Sequence, residues 1–184
     1  MVTREKKMEK KALIFDIDGT LLSEVTGEVP ASALKALERA LENGQLTFIN
    51  TGRTWCALPA VFKRMPFSGY VCGCGTYIQF GDEVLLKRSI PVERGDEIVK
   101  VLRENQADMI LEGTEDCFVP ERLSRFERLE GTRRYFKQMG LGIERYAEHG
   151  GLEFDKFVFY TDEKSGREAI FENLSRDMDL MDRR

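Results

Sequence analysis

The sequence predicts an α/β fold built on a parallel sheet, and three observations carry that expectation. An apolar run, Ala12 to Phe15, leads into the turn Asp16-Ile17-Asp18-Gly19. A second apolar run, Leu46 to Asn50, ends in Thr51-Gly52-Arg53. Between them Leu34, Leu37 and Leu41 recur at helical spacing. A strand, a helix and a strand make one βαβ crossover. Such a crossover is right-handed and leaves its strands parallel, so Asp16 and Thr51 are expected at the carboxyl edge of one sheet, within reach of one ligand.

In the first strand Leu13, Ile14 and Phe15 are expected to be buried, and alternation along the strand puts Asp16 and Asp18 on the same side. Gly19 then allows a tight turn. Two carboxylates this close repel each other unless a cation lies between them or one keeps its proton, which points to Mg2+, to acid/base chemistry, or to both. A calcium loop starting at Asp16 fails, because its sixth position is Leu21 instead of Gly and its twelfth is Gly27 instead of Glu. A solvated Asp-Gly turn is the plainer alternative.

The helix is expected from Ala31 to Asn43, favoured by Ala33, Ala36 and Ala40 and stopped by Gly44. After Arg53 a further helix is expected to run to about Arg64, kinked or split by Pro59, with Trp55 packing in the core. Tyr70 to Cys72 reads as a third strand, followed by the turn Gly73-Cys74-Gly75-Thr76. Thr76 to Phe80 and Glu83 to Arg88, joined by Gly81-Asp82, read as a hairpin. A domain boundary is placed there, giving residues 1–80 and 81–184.

The second region reads as a mixed α/β module. Ile98, Val101 and Leu102 mark a helix between Pro91 and Asn105, and short strands are expected at Asp108 to Leu111 and Cys117 to Val119. A long polar helix is expected from Leu123 to Met139, a strand from Lys156 to Tyr160, and a helix from Glu163 to Leu174. Arg122, Arg125, Arg128, Arg133, Arg134 and Lys137 either face a substrate or are solvated and paired locally with Glu121, Glu127 and Glu130. His149 reads as a loop residue.

Composition bounds the function. With 184 residues, 42% hydrophobic and 33% charged, the chain can bury a real core. A formal net charge of -4 and a pI near 5.3 give no electrostatic reason to expect nucleic-acid binding. No segment is long and apolar enough to span a membrane and the opening residues lack the apolar stretch of a signal peptide, so a cytoplasmic protein is expected. Cys56, Cys72, Cys74 and Cys117 form no Cys-x-x-Cys pair, and buried thiols are expected at all four.

Asp16-Ile-Asp18-Gly19-Thr20-Leu21-Leu22 resembles the first motif of the haloacid dehalogenase (HAD) superfamily of phosphohydrolases, and the apolar strand ending in Thr51-Gly52-Arg53 resembles its second motif in the Cof-type (class IIB) form. The resemblance implies a HAD-like Rossmannoid parallel sheet core with an inserted α/β cap of the C2 type. It implies a Mg2+-dependent phosphatase acting on a small phosphorylated metabolite, such as a sugar phosphate. Asp16 would be the nucleophile that forms an aspartyl-phosphate, and Asp18 the general acid/base. Both would serve the metal, Asp18 through its main-chain carbonyl. Gly19, Thr20, Thr51, Gly52 and Arg53 would hold the phosphate, with a structural role for Arg53 left open. In Cof-type proteins an Asn occupies the position that Cys74 takes here.

The superfamily completes its site with a later Lys and a Gly-Asp-x-x-x-Asp type segment. Lys164-Ser-Gly166 imitates the first, and Asp177, Asp179 and Asp182 lack the glycine and apolar strand of the second. The final βα units of the core are therefore expected to lie outside these residues. A catalytically incomplete phosphate-binding or interaction protein is the alternative function, and a phosphomutase or phosphotransferase a third.

Overall fold

The computed structural model describes residues 10–23 and 25–182. The chain divides into two compact units. The first comprises the residues up to Thr54 together with Ala60–Lys87, and the second comprises Trp55–Pro59 together with the residues from Arg88 onward.

The first unit is a five-stranded sheet. In chain order its elements are β1 (Ala12–Phe15), α1 (Ala31–Glu42), β2 (Leu46–Asn50), α2 (Ala60–Arg64), β3 (Gly69–Cys72), β4 (Tyr77–Phe80) and β5 (Glu83–Lys87). The strand order is β1-β2-β3-β4-β5. β1, β2 and β3 run parallel, and β4 and β5 continue the sheet antiparallel. The α/β class and the βαβ crossover thus stand as the sequence predicts. α1 follows Pro30, whose missing N–H costs nothing at a helix start, and ends where Gly44 takes a φ of 74°.

The expected burial of β1 does not hold. Ile14 is 64% exposed and Leu13 and Phe15 are only half-buried. The reason is position: β1 is an edge strand that pairs with β2 alone among the described residues. In the same unit Ile17, Leu21, Leu37 and Ile49 are buried.

The helix expected after Arg53 is also shorter than its sequence suggests. Only Ala60–Arg64 is helical, with Pro59 immediately before the first turn. Trp55 is half-buried, whereas Ala57 and Leu58 beside it are buried.

The second unit holds α3 (Val92–Glu104), β6 (Asp108–Glu112), β7 (Cys117–Phe118), α4 (Glu127–Gln138), β8 (Lys156–Tyr160) and α5 (Arg167–Leu174). Its sheet is antiparallel with β6 in the middle, in the order β7-β6-β8. Alternation along β6 sends Met109 and Leu111 into one core with Ile98 and Leu102 of α3 and Ile170 and Leu174 of α5. Ile110 points the other way, into a core with Leu129 and Phe136 of α4. Ala57 belongs to that second core.

α4 and α5 begin later than the polar pattern suggests, because polar side chains take the backbone amides just before each. The Ser124 hydroxyl accepts from the Phe126 amide at 3.1 Å, and the Asp162 carboxylate accepts from the Lys164 amide at 3.0 Å. Both are turns that compete with a helix.

Of the basic residues around α4, Arg122, Arg125 and Arg133 are bound within the unit, the first two to acids other than the neighbouring glutamates. Arg122 pairs with buried Asp108, Arg125 pairs with Asp162 at 2.6 Å, and Arg133 pairs with Glu130 at 3.0 Å. Arg133 is itself buried and donates to the carbonyls of Pro120 and Arg122 at 2.6 and 2.9 Å. These three arginines hold the chain around α4 together. His149 lies in a short 3₁₀ turn, as expected of a loop residue.

Candidate active site

The register places Phe15 opposite Ile49, and Asn50 opposite Val71. Asp16, Thr51 and the Gly73–Gly75 turn therefore all leave the sheet at one edge, from three adjacent parallel strands. Neighbouring strands are about 4.8 Å apart. The loops after β1, β2 and β3 form one surface.

Past β1 the chain curls tightly. The Ile17 carbonyl accepts from the amides of Thr20, Leu21 and Leu22 at 3.2, 3.0 and 2.8 Å. Gly19 takes a φ of 73°, a conformation that side chains with a Cβ rarely adopt. Ile17 is fully buried while Asp16, Asp18, Gly19 and Thr20 are exposed. The buried isoleucine anchors the turn, and the two carboxylates flank it toward solvent. Oδ1 of Asp16 accepts from the Ile17 amide at 2.8 Å, which fixes that carboxylate.

Asp18 has a partner that the sequence alone did not name. The Arg53 guanidinium donates from Nε to Oδ2 at 2.9 Å and from Nη2 to Oδ1 at 2.8 Å, a forked pair across two loops. These hydrogen bonds, opposed by partial desolvation and aided by the positive charge, hold the Asp18 carboxyl below the usual carboxylate range. The cation that offsets Asp18 is thus supplied by the chain itself. A pairing over 35 positions is not legible from spacing.

Thr51 is buried, and its hydroxyl oxygen accepts from the Arg53 amide at 3.2 Å. Accepting there leaves the hydroxyl proton available to a ligand oxygen. The third loop braces the second: the Gly73 amide donates to the Arg53 carbonyl at 2.7 Å and the Cys74 amide to the Thr51 carbonyl at 3.3 Å. Gly73 has a φ of 61°, and a Cβ there would collide with the Thr76 hydroxyl and approach Thr54. Cys74 has a φ of 59°, a region where Asn is the commoner non-glycine residue. Its sulfur lies 3.5 Å from the point where a Cβ on Gly52 would stand.

The four thiols differ in setting. Cys72 and Cys117 are buried, Cys56 is half-buried and Cys74 is exposed, so the expectation of burial holds for only two. Burial pushes the Cys72 thiol up to about 12. Of the later acids, Asp177 accepts a forked pair from Arg94 and Asp182 an ion pair from Arg167 at 2.7 Å. Asp177 ties the residues after α5 to α3, and Asp182 folds the following segment back onto α5. No group of three or more His, Cys, Asp or Glu suited to a metal occurs among the described residues, and no helix among them is long and apolar enough to cross a membrane.

A family model for haloacid dehalogenase-like hydrolases matches residues 13–181. No curated protein matches the chain. Among solved structures, a phosphatase of the haloalkanoate superfamily from Bacteroides thetaiotaomicron is 28% identical, with a TM-score of 0.69 over 95% of this chain and 64% of that one. A HAD subclass IIB sugar phosphatase is 27% identical, with a TM-score of 0.66 over 88% of this chain and 62% of that one. A protein from Geobacillus kaustophilus shares the fold at 21% identity and a TM-score of 0.72, over 91% of this chain and 63% of that one. The chain thus spans less than two thirds of the length of each of these relatives.

Proposed function

Because the chain belongs to the haloacid dehalogenase-like hydrolase family, we propose that it carries the phosphate-transferring loops of a Mg2+-dependent phosphatase acting on a small phosphorylated metabolite. The observation that carries this reading is the meeting of Asp16, Asp18, Thr51 and Arg53 at one edge of parallel strands. The likeness to a subclass IIB sugar phosphatase supports a sugar phosphate as the substrate class. The net charge of -4 supports a small anion held by local donors in preference to nucleic acid. The reaction is assigned to the cytoplasm.

Asp16 is the nucleophile. Its carboxylate attacks phosphorus in line and forms an aspartyl-phosphate as the leaving oxygen departs. With Oδ1 fixed by the Ile17 amide, the opposite oxygen is the one presented to the substrate. The Thr51 hydroxyl donates to a phosphoryl oxygen, and Gly19, Thr20 and Gly52 line the space around it. Such donors stabilise the charge that spreads over those oxygens in the transition state. Asp18 gives a proton to the leaving oxygen and then takes one from the attacking water.

Arg53 makes the second role conditional. While it clasps Asp18, that group is a carboxylate and a poor acid. An incoming dianionic phosphate offers the guanidinium a second anion and disfavours charge on Asp18, so substrate binding and protonation of Asp18 favour each other. The residues suit Mg2+, a hard cation that binds through one or two carboxylates, several waters and a substrate phosphate. The Asp16 carboxylate and the Asp18 main-chain carbonyl would hold it. When bound, the ion supplies positive charge against the phosphoryl group.

The clasp also favours a second reading, a protein that binds phosphate with little turnover. One experiment separates the two. Release of inorganic phosphate from a panel of sugar phosphates, abolished in Asp16→Asn, supports the phosphatase. Saturable phosphate binding with no release above the Asp16→Asn background supports the second reading and sinks the first.

A further inference from the structure

We propose that Cys56 and Cys117 form a reversible disulfide on exposure to hydroperoxides, a modification independent of the phosphatase reading. Their sulfurs lie 3.5 Å apart, although 61 positions separate them in the chain. An S–S bond is about 2.05 Å long, so closing it takes a displacement of about 1.5 Å. Both residues belong to the second unit. Cys117 starts β7, and Cys56 sits in the Trp55–Pro59 segment whose Ala57 packs into the same core. The Cys56 thiol is also held in place, donating to the Gly113 carbonyl at 3.1 Å.

The two sulfurs have unequal access, which divides the chemistry. Half-buried Cys56 meets the oxidant and fully buried Cys117 completes the bond. The Cys56 sulfur attacks a peroxide oxygen, the O–O bond breaks, and the other oxygen leaves as water or an alcohol carrying the thiol proton. The Cys117 sulfur then displaces the sulfenic oxygen, which departs as water with the Cys117 proton. Two thiols lose two electrons in total, and the hydroperoxide gains them. Cys117 is fully buried, so the sulfenic acid at Cys56 is resolved within the core.

The consequence lies in where the bond would be. Trp55–Pro59 begins two residues after Arg53, and both flanks of this segment, Thr54 and Ala60, belong to the first unit. Oxidation therefore ties to β7 the stretch of chain that follows the Thr51-Gly52-Arg53 loop. The other two cysteines serve as internal comparisons. Cys72 is buried with its thiol raised to about 12 and is expected to stay inert, while exposed Cys74 reacts singly.

The test uses the full chain carrying Cys74→Ser, reduced and then treated with one equivalent of hydrogen peroxide. After denaturation and alkylation, two of the three remaining thiols are expected to escape alkylation. Peptide mapping is expected to join the Cys56 peptide to the Cys117 peptide, and dithiothreitol to restore full alkylation. Adding Cys56→Ser, or separately Cys117→Ala, should abolish the cross-link. The map of the Cys74→Ser parent decides the question even if those variants fold poorly. Three alkylated thiols, sulfinic acid without a cross-link, or a link involving Cys72 would overturn the proposal.

Discussion

β1 and β6 are similarly apolar over their middle positions, yet they meet opposite fates. β6 is buried at four of its five positions, whereas β1 has no fully buried residue and leaves Ile14 64% exposed. Place in the sheet accounts for the contrast. β6 lies between β7 and β8, with α3 and α5 on one face and α4 on the other. Among the described residues, β1 is bonded to β2 on one side only. Burial is set by what flanks and covers a strand, and composition merely permits it.

The contrast can be broken in order of expected effect. Leu111→Ala opens a cavity in the larger core of the second unit and is expected to cost about 2–5 kcal/mol in denaturant unfolding. A loss under 1 kcal/mol would mean that this core collapses around the gap and that β6 is no better supported than β1. Arg133→Ala strips donors from the Pro120 and Arg122 carbonyls and is expected to cost about 1–3 kcal/mol. A neutral result would show water replacing the guanidinium, and α4 would then be held by Leu129 and Phe136 alone.

Two titrations sharpen the comparison, because each unit holds a carboxylate clasped by an arginine across two loops. In the second unit Arg125 holds Asp162 down to about 2, with its hydrogen bonds as the largest cause. A depressed carboxylate contributes stability above its ordinary value of 3.8, and that contribution disappears as pH falls toward about 2. Carboxyl NMR should find Asp162 titrating near there, and Arg125→Gln should return it toward 3.8. In the first unit Arg53→Gln should likewise raise the Asp18 titration toward the usual range, by relieving the hydrogen bonds first and the charge second. An unmoved Asp18 would separate the clasp from the protonation state on which the proposed acid role depends. The smallest effect belongs to Ile14→Thr, expected to stay within about 0.5 kcal/mol because the side chain is already in water.

The sequence alone determined the parts governed by nearest neighbours along the chain. The βαβ crossover followed from two apolar runs flanking a helical stripe, and the placing of Asp16 and Thr51 at one edge followed from the parallel strands such a crossover joins. The tight turn at Gly19 and the loop nature of His149 were equally local. What only the tertiary structure decided were the meetings of residues distant in the chain. Arg53 met Asp18 across two loops, and Arg122 on Asp108 and Arg125 on Asp162 displaced the local pairings with glutamate that the sequence suggested. The membership of Trp55–Pro59 in the second unit and the approach of Cys56 to Cys117 are of the same kind. Periodicity fixes which way a side chain points from its own element, but whom it meets depends on strand order and on the surfaces brought against it, and neither is written in any one segment.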